Sequence, residues 1–505
     1  MDVLAHWGLT VGVFLPVAGA ALIALTPKDN ERAIKGLSLV FTALPLLVGI
    51  LLLNPYHIGT TGIQLETNLS WIPSIGARYH VGVDGISLPL LELTFLVTFL
   101  CAVYSLKWLP EPRNPKGLLS LMLLLETGMG GTFISLDLVL FFIFWELVLV
   151  PMYFMIGLWG GPRREYAAIK FFLYTLFGSV FMLLGFLALY FRTTPHTFDI
   201  LALQRVGGTL PSGIQDLIFL GMGIGFAIKV PMWPFHTWLP DAHTEAPTIG
   251  SVLLAAILLK MGTYGFLRIS IPILPHAART YAPLIGALAV IAIIYGALNC
   301  LAQTDLKRMI AFSSVGHMGF VMLGISTLTQ IGVNAAVFGM VAHGVITGML
   351  FFVAGSIHER YHTREIPALG GMSNKLPRLG GILAFTAIAS LGLPGLAGFW
   401  GEVFALLSSY NPLSALSSHT FRVFMVAGGV GTILTAGYFL YMLQRVNLGK
   451  VPEQWAAKSL VDVQPLELLA WAPLLVLTLA LGLYPRLIFD VTNHSVVALT
   501  RVLGG

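Results

Sequence analysis

Charge is what this sequence has least of: only 10% of its 505 residues are Asp, Glu, Lys or Arg, where a soluble domain carries about 25%. That scarcity excludes an ordinary water-soluble globular protein. Cysteine is nearly absent too. Cys101 and Cys300 stand alone in apolar runs with no CxxC spacing, which argues against an iron–sulfur cluster, a haem attachment site or a zinc site. No Gly-rich dinucleotide fingerprint opens a βαβ unit. A basic leader region is also lacking, since the chain begins Met1-Asp2, and residues 3–25 read as a retained spanning helix. His358 and His362 have metal-compatible spacing but no third ligand nearby, so they are expected in a solvated, charged loop. No metal site follows. The net charge of +5 does not point to nucleic acid, because the basic residues sit in short loops between apolar runs.

Hydrophobic residues fill the space that charge leaves, at 56% of the chain and a mean hydropathy of +0.85. This composition predicts an all-α polytopic membrane protein. Its 54 glycines suit close helix packing in lipid. Fourteen candidate spans, each near the ~20 residues that cross a hydrocarbon core, fall at 3–25, 34–53, 84–106, 117–135, 137–159, 166–191, 213–231, 247–268, 281–303, 308–327, 331–357, 378–409, 421–443 and 466–485. The boundary between the fourth and fifth rests on little more than Ser135 to Asp137. If every span crosses, Lys28, Arg32, Lys35, Lys107, Arg113, Lys116, Arg163, Arg164, Lys307, Arg308, Arg360, Arg364, Lys375, Arg378, Arg445, Lys450 and Lys458 share one side. The other side holds about half as many basic residues, so both termini are expected away from the cytoplasm. Residues 54–80 and 192–212 are expected to cap that outer face.

The few charges inside spans are informative, because an intramembrane ionisable group normally faces the bundle interior, a partner or a wet cavity. In GFAIKVPMWPFHTWLPDAHTEAP, residues 225–247, Lys229 precedes Pro231 and Pro234. Proline removes a backbone donor, and the carbonyls it frees are tolerated at depth only beside protein or water. A charge and a helix break therefore coincide, as an ion path requires. LGLPGLAGF, residues 391–399, predicts a second broken helix, with Glu402 just beyond it. Glu126, Asp137, Glu146, Lys170, Lys260, His317 and His343 fall at nearly one per helix elsewhere. Lys170, close to the basic end of its span, can snorkel to the surface. A Glu146–Lys229 pair that opens and closes would switch Lys229 between holding and releasing a proton.

FFIFWELVLVPMYF, KVPMWPFHTWLPDAHTEAPTIGSVLLAAILLKMGTYGFLR, DLKRMIAFSSVGHMGF and LPGLAGFWGE together resemble the antiporter-like membrane subunits of respiratory complex I, over roughly residues 80–450. Large subunits of multisubunit sodium/proton antiporters are related. The resemblance implies about fourteen transmembrane helices with two inverted five-helix repeats and two broken helices. The corresponding segments are 1–80 (helices 1–2 and an outer loop), 81–116 (helix 3), 117–270 (first repeat), 271–450 (inverted second repeat) and 451–505 (helix 14 and tail). It implies proton transfer by Glu146, Lys229, Lys260 and Glu402, with His243, His317 and His343 as relay residues. Glutamate rather than lysine at position 402 resembles the M-type (chain 4) branch. The chain's end at Gly505, soon after the fourteenth span, is expected to leave no room for the long lateral helix of the L type.

By the same resemblance the chain itself carries no cofactor, and NADH, FMN, iron–sulfur clusters and quinone belong to partner subunits. L-like and N-like subunits in a bacterial inner membrane are the expected neighbours. A cation/proton antiporter subunit and a non-pumping structural subunit are the alternatives.

Overall fold

The computed structural model describes residues 2–504. Two helices, α1 (Asp2–Leu25) and α2 (Glu31–Leu52), lead into a hairpin of β1 (Gln64–Ile72) and β2 (Ala77–Val83). The strands run antiparallel, with Thr67 opposite Val81 and Ile72 opposite Ala77. Next come α3 (Leu88–Ser105), α4 (Pro115–Ile134), α5 (Leu138–Trp159) and α6 (Arg164–Arg192). A short α7 (Ile200–Val206) precedes α8 (Ser212–Lys229) and α9 (Trp238–Glu245). The eighth crossing is α10, Thr248–Ile273. It is followed by α11 (Pro275–Leu301), α12 (Leu306–Ser326), α13 (Gln330–Tyr361), α14 (Pro377–Ser390), α15 (Ala397–Tyr410), α16 (Ser418–Val446), α17 (Pro465–Leu483) and α18 (Arg486–Val502).

Among the described residues 13 helices are long and apolar enough to cross a membrane. The remaining crossing is split into α14 and α15, 14 residues each, so neither half reaches spanning length alone. The separate α4 and α5 are joined through Asp137, which the sequence suggested as an in-span charge. It is the N-cap of α5: Oδ1 accepts from the Val139 and Leu140 amides at 2.9 and 3.2 Å, and Oδ2 from the Arg78 amide at 3.0 Å. Its burial is met by two backbone donors left over at a helix start and one from strand β2.

Loop contacts define two faces. On one, the hairpin meets the α4–α5 and α6–α8 connections, with the Leu136 amide on the His80 carbonyl (2.9 Å) and the Ile200 amide on Leu136 (2.8 Å). On the other lie the basic loops, with Lys116 on the Thr26 carbonyl and Lys35 on Leu106. The residues expected to cap the outer face, 54–80 and 192–212, therefore hold ordered structure: most of the hairpin, and α7. The tail is not featureless either. α18 lays Thr492 and Ser495 inward and Val502 outward, the one-sided pattern of a helix lying along a surface. His358 and His362 do not form a loop; His358 is in the last turn of α13 and His362 is its left-handed cap, φ +49°.

The innermost helices are α10, α12 and α13, whose most apolar windows are 100%, 94% and 94% buried, whereas those of α2 and α16 are each only 28% buried. This inverts the logic of a soluble bundle. Outer helices turn leucine and valine toward lipid, and the inner ones can hold polar groups because protein surrounds them.

Candidate functional site

The site grows from two interrupted helices. Lys229 ends α8, and the proline-bearing segment after it frees carbonyls that α9 partly recaptures: the Trp238 indole N–H donates to the Ile228 carbonyl at 2.9 Å. The lysine is buried, and its Nζ stands 5.2 Å from the Trp145 ring centroid and 5.9 Å from that of Phe171, within cation–π range. Glu146 follows Trp145 on α5. Its Oε1 is buried without a hydrogen-bond partner. The pair interacts electrostatically, yet Glu146 makes no ion contact within 4 Å among the described residues, so the structure holds it in an open arrangement.

The helix that bears Lys260 packs directly on α8. A Cβ at Gly262 would lie 2.7 Å from the Phe226 carbonyl and 2.9 Å from the Val230 amide, so only glycine permits this approach. Lys260 sits between two π-helical stretches, Leu254–Leu258 and Phe266–Ser270, a distortion frequent at functional sites. Its side chain is fully buried. Nζ donates to the Ala255 carbonyl at 2.5 Å and lies 2.6 Å from His343 Nδ1.

From there a polar line continues. The His343 and His317 rings are 5.8 Å apart, His317 Nδ1 lies 2.8 Å from Glu402 Oε1, and Ser390 Oγ lies 3.0 Å from His317 Nε2. Between them is a cavity of about 30 Å³ lined by His317, His343, Thr347, Ser390 and Glu402, enough for a water with several polar partners. His343 Nε2 and Glu402 Oε2 are buried and unpartnered by protein. Gly401 lets α15 reach α13, since a Cβ there would lie 2.8 Å from Gly339 Cα. The second helix break thus carries Glu402 to the histidines.

The structure assembles the predicted residues into two groups, Glu146 with Lys229, and Lys260 with His343, His317 and Glu402. His243 joins neither by a hydrogen bond. It is fully buried and stacked on Phe351 (centroids 4.5 Å, 4° between planes), with both ring nitrogens unpartnered. Lys170 does not snorkel freely; its Nζ is 2.7 Å from Asp241 Oδ2, and Arg163 reaches the other oxygen at 3.3 Å. Sequence reading left Asp241 and Ser390 without roles. A serine in an apolar run carries no signal of its own, and Asp241 stands in a polar cluster where any acid could be the one engaged. Glu126 is buried with both oxygens unpartnered. No group of three or more His, Cys, Asp or Glu side chains among the described residues could hold a metal.

Residues 135–435 match the family model described as NADH:quinone oxidoreductase/Mrp antiporter, TM. NADH-quinone oxidoreductase subunit M of Rhodobacter capsulatus is 42% identical, over 98% of this chain and 96% of its own. An NAD(P)H-quinone oxidoreductase chain 4 of Trichormus variabilis is 39% identical, over 99% of this chain and 93% of its own. A chain of respiratory complex I from Thermus thermophilus superposes with TM-score 0.87 at 29% identity, covering 98% of this chain and all of that one. A chain of the Mrp complex from a Dietzia species shares the fold, with TM-score 0.85 at 21% identity.

Proposed function

Since this chain belongs to the family of antiporter-like membrane subunits of NADH:quinone oxidoreductase, in its subunit M branch, we propose that it moves protons through the two side-chain groups above. It is a proton-translocating membrane-arm subunit of complex I. NADH oxidation and quinone reduction occur in partner subunits, which also hold the FMN, iron–sulfur clusters and quinone, and this chain adds no redox group. L-like and N-like subunits flank it in a bacterial inner membrane. The hairpin face and both termini lie away from the cytoplasm, as the basic loops on the opposite face favour.

The observation that carries this reading is the contact of Lys260 Nζ with His343 Nδ1 at 2.6 Å, continued by His317 and Glu402 around one small cavity. When Lys260 gives a proton to His343, the imidazolium passes one on across the cavity to His317 and Glu402. Lys229 reloads Lys260 from the neighbouring helix, and Glu146 sets the readiness of Lys229 to release: approach of the carboxylate favours the charged lysine, and withdrawal favours the neutral amine. Residues 117–270 and 271–450 act as inverted halves, each built around one broken helix.

The test is a pair of variants, Glu146→Gln and Lys260→Met, in sealed membrane vesicles oxidising NADH. Assembly should persist while the protons moved per NADH fall sharply in both. Full pumping in either variant removes that residue from the path. Full pumping in both removes the path.

A further inference from the structure

A proton on Lys260 has a second direction open to it. One turn along the same helix is Tyr264 and two turns along is Arg268, roughly 12 Å toward the hairpin face at 1.5 Å per residue. Arg268 is buried and paired with Asp84 at the entry to α3 (Nη2 to Oδ1, 2.5 Å; exposures 8% and 7%). Its Nε donates to the Tyr264 hydroxyl at 3.0 Å, and that hydroxyl donates to the Phe133 carbonyl at 2.9 Å. Asp84 Oδ1 also accepts from the Ile86 and Ser87 amides at 3.0 and 3.1 Å. Beyond the pair, the Gly85 amide donates to Ser495 Oγ of α18 at 2.9 Å, so a helix roofs it.

These polar side chains follow Lys260 along its helix toward the hairpin face, yet the last of them on that helix is the one basic side chain that does not give up its proton in proteins. The Tyr264 hydroxyl hydrogen is committed to Phe133 and its oxygen to Arg268. We propose that Arg268, held by Asp84 and Tyr264, insulates Lys260 from the hairpin face, so that a proton on Lys260 can leave only sideways, to His343. The guanidinium takes no part in transfer; it is a positioning residue that closes a short circuit. The inference rests on the proton-path reading above.

The test is a passive one and uses no NADH. The intact complex is sealed in liposomes with a pH dye inside, and the outside is acidified. Arg268→His puts a group that can accept and release protons in the ladder, whereas Arg268→Gln keeps hydrogen-bond donors for Asp84 and Tyr264 but cannot titrate. The expected result is a severalfold faster proton leak in Arg268→His, with Arg268→Gln close to the parent. Equal leak in both variants means a structural seal, and tight vesicles in both mean no route exists there; either overturns the proposal. Should Arg268→His fail to assemble, Arg268→Lys retains the charge. A leak that grows from about pH 7 to about pH 9, as lysine begins to release protons, supports the insulator, and pH-independent tightness overturns it. Because no electron transfer is involved, these outcomes are separate from loss of pumping in Lys260→Met, which judges the path itself.

Discussion

A lysine buried among aromatic rings and a lysine bonded to a histidine are different chemical objects, although both sit in spanning segments. Lys229 faces the π clouds of Trp145 and Phe171, which stabilise its charge without accepting its proton. Lys260 touches an imidazole nitrogen directly, so it has an acceptor in place. The first is suited to holding a proton until Glu146 moves and the second to passing one on. Outside the membrane, His80 of the hairpin follows a different logic. Burial disfavours its charged form, but the carboxylates of Asp199 (2.5 Å) and Glu66 (2.8 Å) on its two nitrogens outweigh burial and raise its pKa above the usual imidazole value. A raised folded-state pKa gives stability that is complete below about pH 6.5 and is lost as pH climbs through the folded value. Hydrogen–deuterium exchange at residues 64–83, corrected for intrinsic rates, should therefore report a hairpin that exchanges faster at alkaline than at mildly acidic pH. His80→Gln should abolish that dependence; the same slope in the variant would show that another group is responsible.

Elements decide where these side chains meet. Each break in a helix is a place where lost backbone bonds must be replaced, and the replacements are specific: the Trp238 indole on the Ile228 carbonyl for the first break, and for the second a tight turn in which the Leu396 amide donates to the Leu393 carbonyl at 3.1 Å. Glycine sets how close the lysine-bearing helices come. Gly262→Val would force α10 away from the Phe226 carbonyl and Val230 amide of the α8 end, and overpacking of this kind costs about 1–3 kcal/mol. The variant complex should melt at lower temperature and lose much of its pumping, since Lys229 and Lys260 would no longer share one packed interface. Unchanged pumping in a stably assembled Gly262→Val complex would mean that proton passage between the lysines does not depend on this contact.

At the scale of the whole molecule, the periphery is as informative as the centre. Leu173, Phe177 and Leu184 on α6 and Val426 and Ile433 on α16 expose half or more of their surface, as helices do that face lipid tails or neighbouring subunits. A chain of this kind reaches its activity inside an assembly. Mild detergent extraction should bring it out with flavin- and iron–sulfur-containing subunits, detected by absorbance and mass spectrometry of the purified particle. Recovery with cation-transport subunits alone, free of flavin and iron, would favour the antiporter reading instead.

The scarcity of charge and the length of the apolar runs were enough to establish a polytopic helical membrane protein, because the bilayer allows few other solutions for backbone groups. Pro231, Pro234 and Pro394 likewise announced the two breaks, and the cost of an intramembrane charge singled out Glu146, Lys229, Lys260 and Glu402. The hairpin, α7 and α18 were not legible, because short polar segments at a membrane surface have no strong periodicity and are ordered by contacts with distant residues. Nor could sequence distinguish Asp137, a cap, from Glu146, an acid with one buried oxygen left without a hydrogen bond, or Arg268, locked to Asp84 184 positions away in the chain, from an ordinary loop arginine. Whether a buried charge is neutralised, shared or left free depends on which atoms of other helices lie within about 3 Å, and that is decided only when the helices pack.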